Sequence, residues 1–309
     1  MSMKQQYGAQ KDSYHTQIMI KSTIILIVCI ILTLICLVPI LILLVNATHS
    51  HTELAENPSQ FWFGSSLKEN LNILLNKLPD DAGKAMTRVA RQYSSVFNVG
   101  QGYLNSLIIA GFTTVLTVFF SAMTSYGLTV YDFKVKGPAY TFIIAVMMIP
   151  VQVSSAGFVR FMYSLGLINN FIPLIIPAVA APAVIFFMKS YMKSSFPLEI
   201  VEAARIDGCG EFRTFVTIAL PMMKPAMAVQ AIFAFVQNWN NYYTQNMILK
   251  NDKMMTVPIM VSKVLQFDKN VNYGVNYLCI MLSILPIVVV YFILSKFIIA
   301  GVALGGVKE

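Results

Sequence analysis

The polar side chains inside the apolar part of this 309-residue sequence are almost all neutral. Gln230, Gln237, Asn238, Asn241 and Gln245 recur at helical spacing on one broad face, and Trp239, Asn240, Tyr242 and Tyr243 crowd the same turns. Amides exchange hydrogen bonds with hydroxyls, and aromatic rings cover apolar C–H faces. The set therefore suits a pathway for a polyhydroxylated solute, with Gln237, Asn238, Trp239, Asn241 and Tyr242 as candidate contacts. The same residue types also hydrogen-bond helix to helix or form aromatic belts at a membrane surface. The apolar runs hold no Asp, Glu, Arg or His, and Lys296 stands near the end of the last. That argues against a proton-driven carrier, which needs ionisable groups within its spans. No catalytic dyad is present. His49 and His51 lack further ligands at metal spacing, and the sequence predicts them in a solvated loop. No Gly-x4-Gly-Lys-Ser/Thr phosphate loop occurs, so this chain does not bind ATP by that route.

A second stretch, Glu202–Pro221, is a mostly polar island between long apolar runs. Pro197 suits the first turn of a helix. Glu199 and Glu202 follow near its positive end. Asp207-Gly208 is turn chemistry that ends it. Phe212, Phe215, Val216 and Ala219 then repeat at i, i+3, i+4, i+7, which predicts a second short helix with one apolar face, stopped by Pro221 and Pro225. Helices of about ten residues are marginal alone in water, so this helix-turn-helix must dock on its own chain or on another protein.

The fixed positions of the island are Glu202, Ala203, Ala204, Gly208, Ile218, Leu220 and Pro221. Their spacing resembles the cytoplasmic loop of binding-protein-dependent ABC importer permeases. The flanking text is similar to the maltose-type, carbohydrate-uptake branch: Met148-Ile149-Pro150-Val151-Gln152, Leu165-Gly166-Leu167-Ile168-Asn169, Phe196-Pro197, Ile206-Asp207-Gly208, Trp239-Asn240 and Gly306-Val307-Lys308. The resemblance covers roughly residues 100–309. It implies a subunit that forms half of a sugar pathway, with a second homologous permease, two ATP-binding subunits and an external solute-binding protein. ATP and Mg would be used by the partner ATPase, and no cofactor by this chain. The coupling residues would be Glu202, Ala203, Ala204, Asp207, Gly208, Ile218, Leu220 and Pro221. Permeation of another polar solute, and a membrane scaffold or enzyme with a similar hairpin, are the alternatives.

Composition fits. Hydrophobic residues make up 57%, mean hydropathy is +0.67 and only 12% of residues are charged, against about 25% in a soluble domain. The net charge of +8 comes without a basic cluster, which excludes nucleic acid and instead marks membrane flanks. Four Cys residues define no disulfide framework and read as packing residues. The expected order is a cytoplasmic tail (1–21), a first span (22–45), an external loop (46–103) and a five-helix permease domain (104–309) with a coupling loop at 189–224. Phe61, Trp62 and Phe63 are expected at a membrane interface, and helices are expected at Glu69–Leu78 and Asp81–Tyr93. The further spans are Leu104–Thr129, Pro138–Phe158, Ile168–Met188, Ala226–Leu249 and Val275–Ile299, each long enough to cross. In an unbroken fifth span, Trp239 would lie about 20 Å from Ala226. Lys4, Lys11 and Lys21 before the first span place both termini of a six-span, all-α protein inside a bacterial plasma membrane.

Overall fold

The computed structural model describes residues 3–79 and 81–305, and these residues are helices and connections with no strand among them. Gly306-Val307-Lys308 lies outside the described residues. The helices, in order, are α1 (Met3–Asn46), α2 (His51–Glu56), α3 (Leu67–Leu74), α4 (Lys84–Val96), α5 (Val99–Val130), α6 (Lys136–Met147), α7 (Val151–Ser164), α8 (Ile172–Ile175), α9 (Pro182–Ser195), α10 (Glu199–Ile206), α11 (Glu211–Met222), α12 (Lys224–Trp239), α13 (Tyr242–Ile248), α14 (Val257–Leu265) and α15 (Tyr273–Gly305). Two compact units emerge, one from residues 1–73 with 272–281, the other from 74–271 with 282–309.

In the first unit α1 runs on from the polar residues of the expected tail into the apolar run, and Ile18–Leu41 is exposed throughout. Its end is tied down by polar groups. Asn70 donates through Nδ2 to the carbonyls of Ala47 (3.0 Å) and His49 (2.8 Å). The backbone N–H of Gly64 donates to Thr48 Oγ1 at 2.8 Å. Ser50 and Glu53 form a capping box at α2, a reciprocal bond that satisfies two helix-start N–H groups. The two histidines are structural rather than solvated. His49 Nδ1 lies 2.9 Å from Glu53 Oε2 and Nε2 lies 2.8 Å from the Trp62 carbonyl, while His51 packs against the Tyr273 ring. A carboxylate at one ring nitrogen and a carbonyl at the other hold the His49 imidazole in place. Among the described residues no group of His, Cys, Asp and Glu has the geometry to hold a metal.

The second unit is built on α5, against which α9 and α12 pack. Ser106, Ala110, Thr113, Thr117, Ser121 and Ser125 are buried along it at intervals of three or four residues. Small side chains at that spacing let helix backbones come close. One of their hydroxyls also mends a broken span. Pro182 carries no N–H for the Ala178 carbonyl, and Thr117 Oγ1 donates to that carbonyl instead at 3.1 Å. Ser125 Oγ donates to the Ile185 carbonyl at 3.0 Å. Asn169, at φ 58°, accepts the N–H groups of Lys250 (2.6 Å) and Asn251 (2.9 Å), which ties the Leu165–Asn169 turn to the segment after α13.

Four helices among the described residues are long and apolar enough to cross a membrane: Ile18–Asn46, Lys84–Val130, Ile172–Ser195 and Tyr273–Ser295. A fifth forms if α11 and α12, bent by 78°, count as one. Two of the runs expected as single spans are therefore interrupted. Pro138–Phe158 divides into α6 and α7 at Met148–Pro150, and Ala226–Leu249 divides into α12 and α13 at Asn240–Asn241. Pro150 caps α7 and Asn241 accepts the Thr244 N–H at the start of α13, so each break is a local restart favoured by its own residues. In the 46–103 segment the two helices lie at Leu67–Leu74 and Lys84–Val96, shifted from the expected ranges by two to four residues at each end. Trp62, between Phe61 and Phe63, is 84% exposed.

The α10–α11 hairpin docks on this unit. Val201, Phe215, Ala219 and Met223 join Val118, Ala122 and Tyr126 of α5 and Met188, Met192 and Phe196 of α9 in one core. Phe215→Ala should lower stability by about 3 kcal/mol, because it leaves a cavity in that core. Phe212→Ala, at a side chain 67% exposed, should change stability by less than about 0.5 kcal/mol. Unfolding of the purified chain in detergent by denaturant, followed by tryptophan emission, measures both. Equal losses in the two variants would mean that the hairpin does not pack as described.

Candidate docking site

α10 ends in a complete Schellman motif. The Cys209 N–H donates to the Ala204 carbonyl (2.9 Å) and the Gly208 N–H to the Arg205 carbonyl (3.0 Å), with Gly208 at φ +74°. The conformation needs positive φ, which glycine adopts without steric cost. Pro197 lies ahead of the helix rather than in its first turn, since the first helical residue is Glu199.

α11 does not stop at Pro221. A π-helical turn over Phe215–Ala219 precedes Leu220–Met222, and Pro221 sits within that last helical piece. The wider turn relieves the clash between a proline ring and the carbonyl four residues back. The chain bends at Met223, and Pro225 falls in the first turn of α12, where its missing N–H costs nothing.

The two helices are locked by charge. Arg205 Nε donates to Glu211 Oε1 at 2.7 Å and Nη2 to Oε2 at 3.3 Å. The Tyr131 hydroxyl, just past the end of α5, donates to Glu211 Oε2 at 2.7 Å. The Arg205 guanidinium lies 5.7 Å from the Tyr131 ring centroid, within cation–π range. Arg205, then Tyr131, holds the Glu211 carboxyl below its ordinary range. Burial first, and the neighbouring carboxylate second, push the Tyr131 hydroxyl up to about 12. Arg205 and Glu211 are six residues apart across a turn, a spacing that a sequence reader can spot. Tyr131 is eighty residues away, and only the fold brings it in.

What remains outward is one composite face. Val201 and Ala204 point into the core, while Glu202, Ala203 and Asp207 are exposed. Ile206 is 86% exposed and Phe212 67%, so one of the four residues expected on the apolar face of α11 points away from the chain, and Val216 is 39% exposed. Ile218 and Leu220 are half-buried and Pro221 is exposed. Apolar knobs beside two carboxylates, on a hairpin held rigidly from behind, can fill a groove on another protein. The hairpin holds no group set to make or break a bond.

The amide set divides. Trp239 is 1% exposed, stacks on Phe235 and donates its indole N–H to the Ser283 carbonyl at 2.9 Å. Gln245 is buried, with Nε2 donating to the Asn238 carbonyl (2.8 Å) and Oε1 accepting from Thr256 Oγ1 (2.6 Å). Both pack the α12–α13 break. Asn238 donates to the Ala234 carbonyl (2.8 Å) and is half-buried, as is Asn241, the cap of α13. Gln237 and Tyr242 are exposed. Asn240, Tyr242, Ser262, Gln266 and Ser283 line one open cavity beside α14.

Residues 118–303 match the family described as binding-protein-dependent transport system inner membrane component. The arabinooligosaccharides transport system permease protein AraQ of Bacillus subtilis (strain 168) is 36% identical over 220 residues, which is 70% of this chain and 78% of that one. The melibiose/raffinose/stachyose import permease protein MelC of the same organism is 30% identical over 213 residues, 68% of this chain and 77% of that one. A chain in the crystal structure of a bacterial ABC transporter involved in the import of the acidic polysaccharide alginate aligns with a TM-score of 0.71 and 19% identity, over 90% of this chain and 96% of that chain, a likeness of fold.

The Arg205–Glu211–Tyr131 lock predicts a pH dependence. A folded-state carboxyl held below its unfolded value stabilises the hairpin above the ordinary carboxylate range, and that stabilisation is lost as pH falls through the lowered value. A spin label at exposed position 206 should become more mobile as the wild-type protein is acidified below about pH 4. In Glu211→Gln it should be mobile at every pH. A label equally ordered in both proteins at neutral pH would show that the lock does not hold the hairpin.

Proposed function

This chain belongs to the binding-protein-dependent transport system inner membrane component family, and from that premise we propose that it is the permease subunit of an ATP-driven importer of a sugar or oligosaccharide. The observation that carries the coupling part is the exposed face of Glu202, Ile206, Asp207 and Phe212 on a hairpin whose opposite face is buried in its own chain. An ATPase groove accepts that face, in a helix-in-groove mode. Closure of two ATP-binding subunits then pulls on α10 and α11, and the shared core passes the displacement to α5 and α9 as rigid-body rocking. Ala203 allows close approach, Glu202 and Asp207 present charge, and Gly208 fixes the turn. Ile218, Leu220 and Pro221 shape the second helix and its bend toward α12. ATP and Mg belong to the partner.

The sugar assignment is supported by the names of the relatives and by neutral amides beside aromatic rings. Gln237, Asn238, Asn241 and Tyr242 are the pathway candidates, and Trp239 braces them from behind. We take the chain to cross the membrane six times, with α6–α7 and α11–α13 as broken crossings and both termini inside. Irregular backbone at membrane depth is tolerated where protein or a water-filled cavity surrounds it. A second homologous permease completes the pathway, and the all-round exposure of Ile18–Leu41 leaves α1 for that partner and for lipid. An external binding protein delivers the solute.

Gly208→Val and Glu202→Lys test the coupling. Each is expected to abolish uptake in cells with the permease still inserted, and to lower co-purification of the ATPase or its stimulation by loaded binding protein at least tenfold. Normal association with normal stimulated hydrolysis in both variants would falsify the coupling role. Topology is tested separately. In intact cells an impermeant maleimide should label a cysteine placed at Asp81 and leave one at Glu211 unlabelled, and equal labelling of both would overturn the orientation.

A further inference from the structure

Three lysines line one cavity of about 410 Å³ at the point where the long helices give way to α10. Thr129 at the end of α5, Lys136 at the start of α6, Lys189 and Lys193 one turn apart on α9, and Glu199 at the start of α10 form its polar wall. Lys136 Nζ donates to the carbonyls of Tyr131 (2.8 Å) and Thr129 (3.4 Å), which seats a cation on the negative end of α5. An ammonium has three donors, so one remains for a ligand. Lys189 Nζ lies 3.9 Å from the centroid of the Tyr140 ring. That contact orients the group and leaves its charge unneutralised. None of the three lysines forms an ion pair among the described residues, and Glu199 is the one carboxylate on the wall. Three positive charges against one negative leave the cavity cationic.

The surroundings say which anion fits. α6 and α9 pack against each other, and both lead away from the cavity into apolar sequence. Phe186 precedes Lys189 by one turn of α9, on the same side of the helix. At 1.5 Å per residue its backbone lies about 4.5 Å further along the helix, away from the cavity. Phe186 is 44% exposed. Cations at the helix ends with bare aromatic surface a turn further along match a phosphate headgroup with its acyl chain below it. A soluble phosphate would use the cations and leave the apolar track idle.

We propose that this cavity binds the headgroup phosphate of an anionic phospholipid among Lys136, Lys189 and Lys193, with its acyl chain over Phe186. Such a lipid bridges α6, α9 and the Phe196–Leu198 connector that leads into α10. The proposal needs only that these helix ends lie at a membrane surface, so it stands or falls separately from the transported solute.

The test is native mass spectrometry of the full chain in detergent, titrated with phosphatidylglycerol, with phosphatidylcholine of the same acyl chains, and with inorganic phosphate. The wild-type chain should bind phosphatidylglycerol in preference to phosphatidylcholine. Each lysine replaced by glutamine should weaken that binding about fivefold, and K136Q/K189Q/K193Q together on the order of a hundredfold. K250Q/K253Q, outside the cavity, should not change it. Should the triple variant not fold, K193Q alone, at an exposed position, carries the test through its fivefold loss. Unchanged phosphatidylglycerol binding in K193Q or in the folded triple variant overturns the site. Displacement of the lipid by an equal concentration of inorganic phosphate overturns the lipid as its ligand.

Discussion

An eight-residue helix cannot hold itself together in water, and the candidate docking face of this protein depends on one such helix, α10. The constraint is met by burying Val201 on one side with Phe215 and Ala219 of the next helix and Met223 at its bend, against Val118, Ala122 and Tyr126 of α5 and Met188, Met192 and Phe196 around α9. The same packing that stabilises the hairpin mechanically joins it to the long helices. Under the proposed coupling, stability and force transmission would be one set of contacts. The Arg205–Glu211–Tyr131 lock adds orientation more than energy, because its ion pair is exposed and such pairs contribute little.

A second economy runs through α5. Its hydroxyls are buried, and two of them donate to carbonyls in the proline-interrupted stretch from Ile172 to Ser195. Away from water, an unmet carbonyl costs several kcal/mol, so each proline that opens the ladder needs a donor nearby. The small stripe therefore serves close packing and backbone satisfaction together. The neutral amides do similar work at the α12–α13 break, where Gln245 bridges Asn238 and Thr256. Much of what looks like pathway chemistry along a linear sequence is spent on keeping a broken helix intact.

The sequence by itself determined the class and the place of the candidate docking element. Long uncharged runs admit only helices in a membrane, and the Glu202–Pro221 spacing identified the hairpin, down to glycine at the position that takes positive φ. Both features are local: they depend on residue type and near spacing. Tertiary structure decided the rest. It decided that Pro221 sits inside a helix, because a π turn made room for it. It turned Phe212 and Ile206 outward while Phe215 packed against Phe119 and Tyr126 of α5. It buried Trp239, which hydropathy and spacing alone had aimed at a solute, because Ser283 offered its indole a carbonyl. It brought Tyr131 to Glu211, and Lys136 to Lys189 and Lys193, across stretches of chain that no periodicity connects. A side chain's partner depends on which distant backbone arrives beside it, and that information exists only once the helices have packed.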